Sequence, residues 1–131
     1  MEKLIATLIV AFGGSLGAVA RFWVREYLPI ITSTEFPFST MLVNVTGCFL
    51  SGVVYMWLET SGQSWSSDKV LFFFVGFLGA FTTFSAFALD SLVLFQQQQM
   101  FKLFVNIGGN CLLCLICVFV GAMVGARIGA H

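Results

Sequence analysis

The sequence predicts an all-α membrane protein. It would have four transmembrane helices, the third with a candidate break in mid-membrane, and pair with a second copy as an antiparallel, dual-topology homodimer. Three observations predict this. Hydrophobic residues make up 59% of the 131 positions and charged residues only 9%, where a water-soluble domain carries about 25% charge. Four apolar runs are each long enough to cross a bilayer, which takes roughly 20 residues. The cations at the ends of those runs are shared evenly between the two sides. The chain is sized for one domain, residues 1–131, and its zero net charge gives no reason to expect nucleic acid as a partner.

The first span runs from Leu4 to about Val24. It is too long for a signal peptide, and no A-x-A-like site follows it. Gly13 and Gly17 sit four residues apart within it, a spacing that lets helix backbones approach closely. Breaker residues from Pro29 to Pro37 form the first joint.

The second span, about Phe38 to Leu58, carries Thr40, Asn44, Gly47 and Ser51 at steps that keep them on one helical face. The joint 60-TSGQSWSSD-68 follows.

The third span, about Val70 to Phe95, contains 76-GFLGAFTTFSAF-87. Gly76 and Gly79 weaken a helix there, and Thr82, Thr83 and Ser85 offer competing local hydrogen bonds. A break near residues 80–83 would free backbone groups in mid-bilayer, where protein, water or an ion must satisfy them. Two such breaks meeting at a dimer axis would present carbonyl oxygens suited to a hard cation. The alternative at this point is a continuous helix whose hydroxyls bond back to their own preceding carbonyls. The tract 96-QQQQ-99 reads as a hydrated cap on two adjacent helix ends.

The fourth span, about Phe101 to Ala126, places Asn106, Asn110, Cys114 and Cys117 on one face. Gly121, Gly125 and Gly129 continue the small-residue spacing at its far end. Cys111, Cys114 and Cys117 form C-x-x-C-x-x-C, but with no fourth partner nearby they read as small apolar residues.

Two polar stripes and a hydroxyl cluster inside a greasy protein point to a pathway. Mid-span positions hold amides, hydroxyls, thiols and phenylalanines, with no Lys or His, and Asp90 is the sole acid, near a span end. A proton-coupled exporter normally needs a central carboxylate, and cation pores often use acidic rings. Amide and hydroxyl donors instead suit an anion, and the positive edges of Phe84 and Phe87 beside them suit it too. A proton-coupled exporter relying on Asp90 is the runner-up, an accessory subunit without transport is a third reading, and no nucleophile–base set suggests an enzyme.

These residues resemble the Fluc (CrcB) fluoride channels. The similarity covers nearly the whole chain and rests on 15-SLGAVARF-22, 42-LVNVTGCFLSG-52 and the G-x-x-T-T-F-S core at 79–85. The resemblance implies a fluoride-selective passive channel of the bacterial inner membrane, built as a dual-topology homodimer with two anion pathways. It implies a structural Na⁺ on the two-fold axis, held by the carbonyls of Gly79 and Thr82. It maps the pathway to Asn44, Phe84 and Phe87 with Thr83 and Ser85, then Asn106, Asn110 and Cys114, and a vestibule arginine to Arg21. Ala86, Ala88 and Cys114 depart from the family's usual hydroxyls.

Lys3, Lys69 and Arg127 fall on one side, and Arg21, Arg25 and Lys102 on the other. This even split predicts insertion in both directions. A tag at the C-terminus should label from both faces of sealed vesicles, and labelling from one face alone rules out an antiparallel pair of identical chains.

Overall fold

The computed structural model describes residues 1–32, 36–62 and 64–130. Residues 33–35 of the first joint and Gln63 of the second lie outside the described residues. Every regular element among the described residues is helical. Four stretches are long and apolar enough to cross a membrane: Glu2–Ile30, Phe38–Thr60, Ser67–Gln96 and Met100–Gly129.

Helix α1 (Glu2–Thr32) passes through Pro29 and continues beyond it, whereas the sequence suggested that the joint opens at this proline. Proline removes one helical donor, yet its fixed φ is itself helical, so near a helix end it weakens the turn without stopping it. Helix α2 is Phe38–Thr60. Helix α3 covers residues 67–81 and widens into a π-helical stretch at Leu71–Leu78. Two extended residues, Thr82 and Thr83, separate it from α4 (Phe84–Gln96).

A tight glutamine turn joins α4 to α5 (Met100–Gly129), which widens at Gly109–Leu113. The N–H of Gln99 bonds the Leu94 carbonyl and that of Gln98 bonds Phe95, both at 2.9 Å, with Gln98 left-handed at φ 58°. This is the Schellman closure of a helix end, here made without glycine.

The helices pack as two parallel pairs, α1 with α3 and α2 with α5. Glycines set both contacts. A β-carbon on Gly17 would collide with the Phe77 carbonyl, and one on Gly121 or Gly125 with the carbonyl of Phe49 or Val53. Parallel helices meeting at bare backbone gain dispersion contacts that lipid cannot match. The small interior holds Val43, Leu78, Phe81, Phe87 and Leu94 beside five buried polar residues. The large side chains of Leu8, Phe12, Phe104 and Phe119 point outward. In water that surface would aggregate; in a bilayer it is the solvated face.

Gly121→Ala should lower the thermal stability of the purified protein in detergent, since forcing a methyl into a closed contact typically costs ~1–3 kcal/mol. Gly108→Ala, whose β-carbon would meet nothing within 4 Å, should keep or raise it. Equal melting of the two variants would show that backbone contact between α2 and α5 does not hold the pair together.

Candidate functional site

The site is built around the two extended residues between α3 and α4. Thr82 has φ −79° and ψ 157°, and Thr83 has φ −155° and ψ 117°. Extended backbone inside a membrane exposes polar groups that must be paired. Asn44 on α2 supplies the pairing. Its Oδ1 accepts from the Thr83 N–H at 2.7 Å, and its Nδ2 donates to the Thr83 carbonyl at 3.1 Å. A backbone N–H can only donate, so these contacts also fix which way the amide faces. The approach is close: a β-carbon on Gly47, one turn along α2, would collide with the Thr82 methyl group. The Thr83 hydroxyl then caps α4 by accepting from the Ala86 N–H at 3.2 Å.

This pairing has a further effect. In an unbroken helix the carbonyl of Gly79 would accept from Thr83 N–H, and that of Thr82 from Ala86 N–H. Both donors are directed elsewhere, to Asn44 and to the Thr83 hydroxyl. The Thr82 carbonyl receives a long contact of 3.4 Å from Arg21 Nη1. Gly79 and Thr82 line a common cavity of about 200 Å³ with Gly47, Ser51 and Leu78.

From Asn44 a relay of donors leads toward the end of α4. Asn44 Nδ2 donates to Asn110 Oδ1 at 2.9 Å. Asn110 Nδ2 donates to Asn106 Oδ1 at 3.0 Å and to the Asn106 carbonyl at 3.1 Å. Asn106 Nδ2 donates to Ser91 Oγ at 3.0 Å, and Ser91 donates to the Phe87 carbonyl at 2.8 Å. Each amide is thus a donor in one direction and an acceptor in the other, as buried polar groups require. Separately, Thr40 donates to Asp90 Oδ2 at 2.6 Å, tying the start of α2 to α4.

A groove of about 430 Å³ opens beside this network. Asn44, Thr83, Phe84, Phe87, Asn110 and Cys114 line it, with Cys48 and Thr82. The Phe84 and Phe87 rings stand edge to face with centroids 5.2 Å apart. Phe87 is buried, whereas Phe84 is 76% exposed. Thr83 Oγ1 and Ser85 Oγ lie 3.2 Å apart, and either can donate. Whichever does, the other hydroxyl keeps a hydrogen to offer. Among the described residues no Lys, Arg, His, Asp or Glu lines the groove. It therefore offers neutral donors and aromatic rings, a setting that can receive a small anion and gives a cation few oxygens.

Seven site residues predicted from the sequence thus share one groove: Asn44, Thr82, Thr83, Phe84, Phe87, Asn110 and Cys114. Ser85 joins them through Thr83, while Asn106 is fully buried behind Asn110. Arg21 lies at the Thr82 carbonyl and is not a groove residue. Gly79 and Thr82 meet in the neighbouring cavity. Sequence reasoning passed over Ser91 and Cys48. Both carried a signal: Ser91 follows Phe84 and Phe87 on the same helical face, and Cys48 stands one turn after Asn44.

The family model described as "CrcB-like protein, Camphor Resistance (CrcB)" matches residues 8–122. Similar proteins named "Fluoride-specific ion channel FluC" occur in Dehalococcoides mccartyi (strain BAV1) and Legionella pneumophila (strain Lens). The first is 40% identical over 121 residues, 92% of each chain. The second is 46% identical over 121 residues, 92% of this chain and 90% of the relative. A third, from Shewanella loihica, is 43% identical over 114 residues, 87% of this chain and 90% of the relative. With a multi-pass helical fold and a family match over most of its length, the chain belongs to the CrcB family.

Proposed function

We propose that this protein is a passive, fluoride-selective channel that lets fluoride leave the cytoplasm. The observation that carries the reading is the uncharged groove lined by Thr82, Thr83 and the Phe84–Phe87 ring pair, in a chain 40% and more identical to proteins named as fluoride-specific channels. Neutral hydrogen fluoride crosses a membrane and ionises in a near-neutral cytoplasm, which traps the anion. The membrane potential then drives it out, so a pore suffices. The relatives are bacterial, which favours the inner membrane as its place.

Fluoride gives up water reluctantly, so donors must replace its shell. The Thr83–Ser85 hydroxyl pair supplies a free O–H, and the edges of Phe84 and Phe87 supply partial positive charge without a fixed cation. Both Asn44 Nδ2 hydrogens are committed, one to Thr83 and one to Asn110. Asn44 therefore serves by holding the extended turn and the relay through Asn110 and Asn106 in register, so that the hydroxyls face the groove. Cys114 adds a weak thiol donor, and Arg21, near the Thr82 carbonyl, raises the local potential for an approaching anion. A proton-coupled exporter finds less support, since Asp90 is bonded to Thr40 and lines a different cavity with Pro37 and Gln97.

The functional unit in this reading is an antiparallel homodimer. The even charge split supports it, as does the open groove with an exposed Phe84 at its mouth. The carbonyls of Gly79 and Thr82, whose helical donors point elsewhere, are the oxygen set a hard cation takes. In a dimer they would hold Na⁺ from both copies. The ion would supply positive charge and rigidity at the axis where the two extended turns meet.

Purified protein in liposomes should release fluoride, read by a fluoride electrode, while a parallel chloride electrode stays flat. Equal release of both ions sinks the selectivity claim. Phe84→Ile and Phe87→Ile keep bulk but remove the ring edges, and each should slow fluoride release about tenfold or more, the factor that ~1.4 kcal/mol carries. Wild-type release from folded, dimeric variants would reduce both rings to packing. Asn44→Asp puts an acceptor against the Thr83 carbonyl and should abolish release. Asp90→Asn should still conduct; loss of release there would revive the exporter.

Thr82→Ala leaves main-chain oxygen in place and should retain the sodium dependence of dimer stability, measured by thermal melting in Na⁺ against a large organic cation. Loss of that dependence in Thr82→Ala would move the ligand from carbonyl to hydroxyl.

A further inference from the structure

Because α2 and α5 run parallel, residues four apart on one meet residues four apart on the other. Asn44 meets Asn110 through a 2.9 Å hydrogen bond. Two turns on, a β-carbon at Gly52 would collide with the Val118 carbonyl. Midway between these rungs stand Cys48 and Cys114. The register that sets Asn44 against Asn110 and Gly52 against Val118 sets Cys48 against Cys114; both line the groove, and neither is in a disulfide. Their Asn and Gly neighbours hold the two helices at this spacing.

We propose that Cys48 and Cys114 form a two-coordinate site for a soft, thiophilic cation, of which mercury(II) is the type. Soft sulfur donors select such metals, and hard cations ignore them. On binding, each thiol releases its proton to solvent and two S–Hg bonds form, with no change of oxidation state. The product is neutral: two thiolates cancel the double charge of the metal. That matters in a groove without charged lining, where an unpaired charge would be costly. Among the described residues no group of three His, Cys, Asp or Glu is placed for a metal, so a metal that needs four ligands has none to add here. A two-coordinate one needs only the facing pair. Cys111 also lines the groove and is exposed, and Cys117 lies a turn beyond Cys114 on α5, but the register sets Cys114, and neither of these, opposite Cys48.

The site also bears on transport. Cys114 stands in the groove beside Phe84 and Phe87, so a bound metal would obstruct the route; this part rests on the groove being the fluoride path, whereas binding does not.

The experiment uses the full-length protein in detergent, treated with mercuric chloride and then with glutathione as competitor. Intact mass should show one retained mercury per chain with loss of two hydrogens, and two fewer thiols should react with maleimide. Cys48→Ser should weaken retention about a hundredfold, because the second thiol at millimolar effective concentration is lost. Cys111→Ser and Cys117→Ser should retain the metal as wild type does. Equal retention in Cys48→Ser, or loss in Cys111→Ser, overturns the pairing and places the metal along α5 alone. Serine is close in size, and elution as a folded species checks each variant. In liposomes the same treatment should slow fluoride release, reversibly with dithiothreitol. Retention without slowed release upholds the metal site and removes the groove from the fluoride path; no retention in wild type overturns the site whatever the flux.

Discussion

The side-chain amide of Asn44 lies against the main chain of Thr83 as a neighbouring β-strand would, accepting from its N–H at 2.7 Å and donating to its carbonyl at 3.1 Å. This contact lets an extended turn exist where lipid gives no partner. An unpaired buried backbone group costs ~1–3 kcal/mol, so two of them would press the turn back into helix. With the amide in place, α4 starts afresh at Phe84, and the Phe84 and Phe87 rings reach the groove. The same diversion strips the Gly79 and Thr82 carbonyls of their helical donors. Both the proposed anion route and the proposed cation site follow from one asparagine.

The rest of the interior supports that contact. Gly47 lets α2 come close enough for the amide to reach. Asn110 takes the second Nδ2 hydrogen, and Asn106 holds Asn110 in turn. The pairing of α2 with α5 through glycines keeps the three amides in line. A polar network in a low-dielectric interior is costly when half made and rigid when complete. Here each amide in the relay has partners, so the network works as a brace.

Much of this was legible in the sequence. Apolar run lengths gave four spans, the last three within a few residues and the first ending short of Ile30, because bilayer thickness imposes a length that composition reveals. Helical periodicity put Thr40, Asn44, Gly47 and Ser51 on one face, and the structure sets Asn44 and Gly47 against the 82–83 turn. The way Asn44 acts was not legible. As a residue type it reads as an anion donor, and only the coordinates reveal that both its hydrogens are taken. The end of α1 was also missed: Pro29 was read as punctuation, yet a proline near a helix end can be carried through. Ser91 was overlooked because its place on the face of Phe84 and Phe87 gains meaning only once Asn106 is seen opposite it.

The parallel pairing of α1 with α3 and of α2 with α5 has a consequence for how the molecule is made. Each helix finds its main partner two spans away, while spans adjacent in the chain touch far less. When the second span enters the membrane, the helix that will cover its buried face has not yet been synthesised, and Asn44 must wait among lipid or borrowed partners. The α1–α3 pair can close once the third span arrives, but α2 is clasped only when the last span does. A ribosome halted after Gln96 would leave Asn44 with Thr83 but without Asn110, and the glycine face of α2 unclasped against α5.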